Sequence, residues 1–311
     1  MFHENGAASP MGGEARPAGG RRFVVAGIGE LLWDVFTEGA RLGGAPANFA
    51  FHAGAMGAEA YVVSRVGADD LGARALSELR ASGLDSHYVQ VDPRYPTGTV
   101  SVTLAKDGIP AYVIHEDAAW DHIEVVPEVL DLAAAADAVC FGSLGQRSPG
   151  SGNAVRSILD GTRKDCLRVL DINLRQSFYG RDVLSALLGK SAILKLNLEE
   201  LAVLARLFDL PDGEAEAVDR LLDLFSLDFV ALTKGDQGSR LRSRNADSSH
   251  PGIRVRVVDT VGAGDAFTAA LVIGVLQRKD LDIINEEANR LAAAACTRSG
   301  AMSAFPPPDI L

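Results

Sequence analysis

The stretch DTVGAGDAF, residues 259–267, places a carboxylate directly behind three small residues. If it opens a helix, the N–H groups of Gly262, Ala263 and Gly264 point unpaired toward an anionic guest, and the helix dipole adds to the attraction. Asp265 would repel that guest. Taken alone, the motif reads equally well as a turn whose aspartate caps a helix. Its flanks narrow the reading: GIRVRVVD (252–259) alternates as a strand does, and AFTAALVIGVLQ (266–277) predicts a largely apolar helix of at least three turns. Strand, small-residue loop and buried helix form the setting in which main-chain donors meet an oxyanion. A carboxylate there has a use as a general base, taking the proton of an attacking hydroxyl while the N–H groups stabilise a phosphoryl group in transfer.

Outward from this stretch, short apolar runs alternate with longer helical patterns. RFVVAGIG (22–29), AYVVSRVG (60–67), DAVCFGS (137–143), RVLDIN (168–173), AILKLN (192–197) and FVALTKG (229–235) read as strands. Most are continuous apolar runs, as parallel strands buried on both faces require. Helices are expected at about 46–57, 70–82, 150–163, 198–208 and 214–225. The fold class is therefore α/β, a doubly wound and mostly parallel sheet with helices on both faces. HYVQVDPRYPTGTVSVTLAKDGIPAYVIHE (87–116) breaks the pattern, with alternating strands joined by a Lys106-Asp107-Gly108 turn and no helix. A small antiparallel flap beside the main body is expected there.

The 311 residues suit one large domain, taken as 22–311, with a flexible tail at 1–21 and a β lid built mainly by about 87–116 and the segment around 34–42. A formal charge of −11 argues against a nucleic-acid or anionic-membrane partner. Cys140, Cys166 and Cys296 show no C-x-x-C spacing and read as buried reduced thiols, which suits a cytoplasmic protein. No run of about 18 apolar residues occurs and the first 20 residues lack a signal-peptide core. The histidines, His52 among them, have no metal spacing.

Two nucleotide motifs are false. GIGELL (27–32) carries Leu32 where a dinucleotide loop needs its third glycine, and no helix follows, which counts against an NAD-binding protein. Gly189-Lys190-Ser191 ends like a P-loop, but Leu184 stands at the required first glycine, so a helix-to-strand turn is expected.

Near the N-terminus, Asp34 follows the first strand, then Gly43 and Gly44, then Asn48 in the first turn of a helix. Short carboxylate and amide groups beside bare backbone suit sugar hydroxyls, each both donor and acceptor. The plainer alternative makes Asn48 a cap and the glycines a turn. GGAPANFA and DTVGAGDAFTAA, with Gly29-Glu30 and Asp34, resemble the paired signatures of the ribokinase-like (phosphofructokinase B) family of carbohydrate kinases, over about residues 23–308. FTEGARLGGAPANFAFHAG, SRVGADDLG, PTGTVSV and HEDAAWDHI are similar to bacterial fructokinases.

The resemblance implies transfer of the γ-phosphoryl group of ATP to a sugar hydroxyl with Mg²⁺. By it, Asp265 is the base, the amides of Gly262, Ala263 and Gly264 form the anion hole, and Asp34, Gly43, Gly44 and Asn48 hold the sugar. NLEE (197–200) resembles a family motif in which Asn197 and Glu200 organise water around Mg²⁺, with a helix cap and exposed acid as the alternative. DINLR (171–175) puts Asn173 and Arg175 on the phosphoryl path, with Ile172 where proline is commoner. TKGDQG resembles the nucleotide loop, with Thr233, Gly235 and Gly238 beside ATP, and Asn289 matches the adenine side, where a solvated helix amide is the alternative. By the same resemblance, residues 259–261 and 299–303 offer carbonyls for K⁺, and a homodimer through paired lid edges is expected. Trp120 and His115 either shape the sugar pocket or pack under the lid. Fructose is the expected sugar; ribose, 2-keto-3-deoxygluconate and nucleosides are the rivals within the fold, and a catalytically silent sugar sensor is the rival outside it.

Overall fold

The computed structural model describes residues 21–36, 39–104 and 110–303. The tail expected at 1–21 thus lies outside the described residues but for Arg21, as does the turn at Lys106-Asp107-Gly108. The chain begins with β1 (Val24–Ile28), the antiparallel pair β2 (Leu32–Phe36) and β3 (Gly39–Gly43), α1 (Ala45–Ala55) and β4 (Glu59–Gly67). Next come α2 (Asp70–Ala81), β5 (Val89–Asp92), a second antiparallel pair β6 (Gly98–Leu104) and β7 (Pro110–Ile114), and α3 (Pro127–Ala135). Regular strand–helix alternation follows: β8 (Ala138–Phe141), α4 (Pro149–Asp160), β9 (Leu167–Asp171), α5 (Arg181–Leu188), β10 (Ile193–Asn197), α6 (Leu198–Phe208), α7 (Glu214–Phe225) and β11 (Phe229–Thr233). The chain closes with β12 (Ser239–Ser243), β13 (Asp247–His250), α8 (Ala263–Leu276) and α9 (Leu281–Cys296).

Nine strands form one sheet in the order β13-β12-β11-β10-β9-β8-β1-β4-β5, and four form a smaller one, β3-β2-β6-β7. The strands from β11 to β5 run parallel, while β12 and β13 close one edge antiparallel. The first crossovers step from β1 to β4 and β5; the later ones start at β8, on the other side of β1, and step outward. The winding therefore reverses between β1 and β8, and open α/β sheets bind ligands at the carboxyl ends of such a pair.

The apolar runs are continuous because both faces of the sheet are covered. Ile28, Phe141, Leu170, Leu194 and Val230 pack into one core with residues of α3 to α7. The alternate residues Val25, Cys140, Val169, Ile193 and Ala231 pack into another, against Phe49 of α1, Phe267 of α8 and Leu291 of α9. Helix starts follow from side-chain oxygens: Asp69 accepts from the Gly72 N–H, Ser148 from Ser151 and Asn197 from Glu200. Gly189 ends α5 just before β10, the helix-to-strand turn expected for Gly189-Lys190-Ser191.

Two expectations are corrected. Val89–Asp92, read as part of the flap, instead extends the large sheet, pairing parallel with Ser64–Gly67. GIRVRVVD is no strand: Gly252 packs against Asp236 and Gly238 and carries the chain off the sheet edge, leaving Val257 and Val258 57% and 61% exposed. Its period of two was real, but no free edge received it.

Candidate active site

The amino end of α8 stands at the carboxyl edge of the large sheet. Gly262 begins it in the left-handed region, φ 81°, and a Cβ there would lie 2.7 Å from Ala301, so only glycine fits. The N–H groups of Gly262 and Gly264 donate to no acceptor among the described residues. That of Ala263 is already given to the Thr260 carbonyl at 3.2 Å, which removes it from the expected trio of anion-hole donors. In the same turn Asp259 Oδ1 accepts from the Val261 N–H at 3.0 Å. Asp265 caps nothing; it lies inside the first turn, half-buried, and its Oδ2 accepts from the Asn48 side-chain amide at 2.7 Å. The two sequence signatures are thereby joined at the Asp265 carboxylate, across 217 positions.

Burial, then the neighbouring charge of Asp171, pushes the Asp265 pKa up to about 6, against the opposing effects of Asn48, Lys195 and Arg175. Sequence reasoning missed the support beneath it. Asp171 ends β9 and Lys195 sits within β10, both on the sheet face that α8 covers. Lys195 Nζ donates to Asp171 Oδ1 at 3.0 Å, and the Thr268 hydroxyl of α8 donates to Asp171 Oδ2 at 2.8 Å. A Cβ on Gly264 would lie 3.0 Å from Lys195 Nζ, so that glycine makes room for a buried ammonium directly behind the helix N-terminus. Burial works against the Lys195 charge, but Asp171, Glu200 and Asp265 outweigh it and hold its pKa above the ordinary value. The available signal was a lysine and an aspartate inside runs otherwise read as core.

On the other side stand Asp34, Gly43, Gly44 and Asn48. Gly44, the residue before α1, has φ 121°, and a Cβ there would collide with the Glu30 carbonyl oxygen. A Cβ on Gly43 would lie 2.8 Å from Asp34 Oδ2, so the bare backbone lets the chain lie against that carboxylate. Asn48 is buried within α1 rather than capping it, and its Oδ1 has no partner. Burial raises the Asp34 pKa while Arg175 and Arg41 lower it. Arg175 is exposed, in the loop after β9, and its field reaches Asp34 and Asp265 alike. Asn173, two residues earlier, has φ 43° beside a fully buried Ile172.

Asn197 and Glu200 form a reciprocal cap at the start of α6, each backbone N–H bonded by the other's side chain at 2.8 Å. The acid is buried, not exposed as the plainer alternative had it, and its other oxygen accepts from the Leu174 N–H at 2.9 Å. No cluster of three His, Cys, Asp or Glu suited to a metal occurs among the described residues. The two Glu200 oxygens and Asn197 Oδ1 each already accept a backbone N–H, so an ion here would be held through its waters rather than in a protein cage.

Thr233 ends β11 and gives its hydroxyl to the Leu196 carbonyl at 3.3 Å, tying this strand end to β10. Gly235 and Gly238 flank a single turn closed by Lys234 N–H to the Gly238 carbonyl at 2.8 Å. Asn289 is buried, not solvated: its amide donates to the Ser239 hydroxyl at 2.7 Å and to the Asn285 carbonyl at 2.8 Å, so it reaches the loop through Ser239. Asp259 Oδ2 accepts from the Gly300 N–H at 3.0 Å, bringing 259–261 beside 299–303.

Trp120 is fully buried under the small sheet with Leu32, Val100, Ile114 and Leu144, and the Arg147 guanidinium lies 3.9 Å from its ring centre. His115 bonds Ser101 at 2.7 Å on the exposed side. His52 is buried among apolar groups, which lowers its pKa to about 4. Cys140 and Cys166 are buried free thiols; Cys296 is only half-buried.

The model of the pfkB family of carbohydrate kinases matches residues 26–308. A putative sugar kinase of Pyrococcus horikoshii is 30% identical over 294 residues, spanning 90% of this chain and 92% of its own. The crystal structure of an uncharacterized sugar kinase from that organism in complex with ATP superposes with a TM-score of 0.76 at 28% identity, covering 92% of this chain and 96% of that one. A fructokinase of Klebsiella pneumoniae is 30% identical over 301 residues, spanning 91% of this chain and 96% of its own. The fold, a large mostly parallel sheet with a small separate one, is ribokinase-like.

Proposed function

The chain belongs to the pfkB family of carbohydrate kinases, an ATP-dependent class, and from that premise we propose that it phosphorylates fructose at the primary 6-hydroxyl. The observation that carries the reading is the Asn48–Asp265 bond, which brings a residue of the sugar side onto the carboxylate that would take the hydroxyl proton. Asp265 is the general base. The free amides of Gly262 and Gly264, with the helix dipole, stabilise charge on the phosphoryl oxygens, and Lys195 lies directly behind them. Asp34, Asn48 and the backbone at Gly43 and Gly44 bind the sugar, and Arg175 closes over it from the loop after β9.

Thr233, Gly235 and Gly238 form the nucleotide side, with Asn289 holding that loop from behind through Ser239. Mg²⁺ would screen the phosphate charge, and Asn197 with Glu200 would order its water shell. The adjoining segments 259–261 and 299–303 suit K⁺ through their carbonyls. Exposed Val35, Tyr112 and Val113 on the small sheet support a homodimer through the lid. No helix among the described residues is long and apolar enough to cross a membrane, and a cytoplasmic site of action suits the free thiols.

Fructose is preferred because Asp34 and Asn48 suit adjacent hydroxyls and because relatives across nearly the whole chain are fructokinases. A phosphorylation screen over fructose, ribose, glucose, adenosine and 2-keto-3-deoxygluconate tests this reading. The expected result is a kcat/KM for fructose at least about tenfold above ribose or adenosine. A better rival sugar would remove the fructose assignment, and binding of sugar without phosphate transfer would remove the kinase chemistry.

A further inference from the structure

We infer that Glu30 is a further substrate-binding residue, its free carboxyl oxygen reading one hydroxyl of the sugar. This inference rests on the sugar-kinase reading above. Glu30 follows β1 at the point where the winding reverses, with 3% of its surface exposed. Backbone N–H groups of Glu30 itself and of Ala45, the first residue of α1, stabilise its charged form. Its Oε2 has no hydrogen-bond partner among the described residues. A buried carboxyl oxygen left unpaired is costly, and such groups in native proteins await a ligand, a water or an ion.

Three observations give the waiting partner a location. Gly44, one of the two glycines at the sugar side, packs directly on the Glu30 backbone. Arg175 acts on Glu30, Asp34 and Asp265 alike, and Asp265 acts on Glu30, so Glu30 lies within electrostatic reach of the guanidinium that also serves the other two carboxyl groups. On the far side Gly145 presents no side chain: a Cβ there would stand 4.0 Å from Oε2, at ordinary contact distance, and the oxygen is closed off in the ligand-free protein. Asn48 Oδ1 is a second unpartnered acceptor, on the helix whose first residue holds Glu30. Two orphaned acceptors beside a general base match a ligand with several hydroxyl donors, and neither matches a phosphate, which brings only acceptors of its own.

The test is a set of sugar affinities measured by calorimetry without nucleotide. Wild type, Glu30→Ala and Glu30→Met are each titrated with fructose and with its 1-, 3- and 4-deoxy forms, and separately with ATP. Glu30→Ala is expected to weaken fructose binding by about 10- to 100-fold, the worth of a hydrogen bond to a charged group, and to leave ATP affinity within about twofold. One deoxy sugar, the one lacking the hydroxyl that Glu30 reads, should lose its penalty in the variant while the others keep theirs. If every deoxy penalty survives in Glu30→Ala, or if fructose affinity does not change, Glu30 only supports α1 and the inference is overturned. Should Glu30→Ala not fold, Glu30→Met carries the same cycle, since it keeps much of the side chain's bulk and removes both carboxyl oxygens. Should wild type prefer another sugar in the screen, that sugar and its deoxy forms replace fructose, so a wrong sugar shows in the wild type alone.

Discussion

The two sheets furnish the site in different ways. Groups at the edge of the large sheet are anchored before any substrate arrives: Asp265 by Asn48, Asp171 by Lys195 and Thr268, Glu200 by two backbone N–H groups. The small sheet brings one half-buried carboxylate, Asp34, and carries exposed Val35, Tyr112 and Val113 beside it. It is held from below by the buried Arg147–Asp121 pair, whose guanidinium also reaches the His115 carbonyl at 2.7 Å. Rigid support belongs where charge moves, because preorganised groups need no rearrangement in the transition state. A thinner, more exposed layer suits recognition and closure.

This contrast says which variants lose turnover and which lose affinity. The largest effect is expected at the large sheet: Asp265→Asn should lower kcat by roughly 10² to 10⁴ while sugar and ATP still bind. Retention of more than about a third of wild-type turnover, with chemistry rate-limiting, would sink the base assignment. Asp34→Ala tests the opposite side. It should reduce kcat/KM by about 2 to 4 kcal/mol, with most of the loss in sugar KM, since it leaves hydroxyls unpaired in a closed pocket. A pure kcat loss there would erase the division between the sheets.

A third expectation concerns stability. Burial first of all raises the Glu30 pKa from 4.5 to about 7 in the folded chain. The folded state therefore holds that proton more tightly, and the stability it confers is full below pH 4.5 and lost as pH rises through about 7. Glu30→Gln should thus be nearly neutral at pH 5 and stabilise the ligand-free protein by about 1 to 3 kcal/mol at pH 8, read from denaturant unfolding. Equal effects at both pH values would show that the large-sheet edge carries no such burden. The smallest effect is a displaced pH profile. With the Asp265 pKa at about 6, kcat/KM should fall about tenfold per unit well below it. Asn48→Ala removes a bond that favours the charged form, so the acid limb should move to higher pH. A shift to lower pH, or none, would mean that Asn48 serves the sugar alone.

Much of this was legible in the sequence because burial on both faces writes continuous apolar runs, and the helices between them carry their caps. Asn197 and Glu200, read as a pair around Mg²⁺ with a helix cap and exposed acid as the alternative, do cap α6, with the acid buried. Val89–Asp92 misled because adjacency to a hairpin does not say which sheet supplies the partner edge, and GIRVRVVD because alternation needs an edge that Gly252 turns away from. Lys195 and Asp171 stayed hidden since each is one polar residue in an apolar strand, identifiable only once the residues packed over it are known. The loss of Ala263 from the anion hole was equally invisible, being decided by a single turn carbonyl.

The bond between Asn48 and Asp265 also bears on the protein's birth. A chain leaving the ribosome from its N-terminus exposes Asp34 and Asn48 early, but α8 arrives only after β1 to β13 have emerged. Until α8 docks on α1, Asn48 and Asp265 stay apart and the proposed site is incomplete. Contacts across such sequence separation form late and slowly. On the proposed reading, a nascent chain would gain the means to phosphorylate sugar only with the last helices to fold.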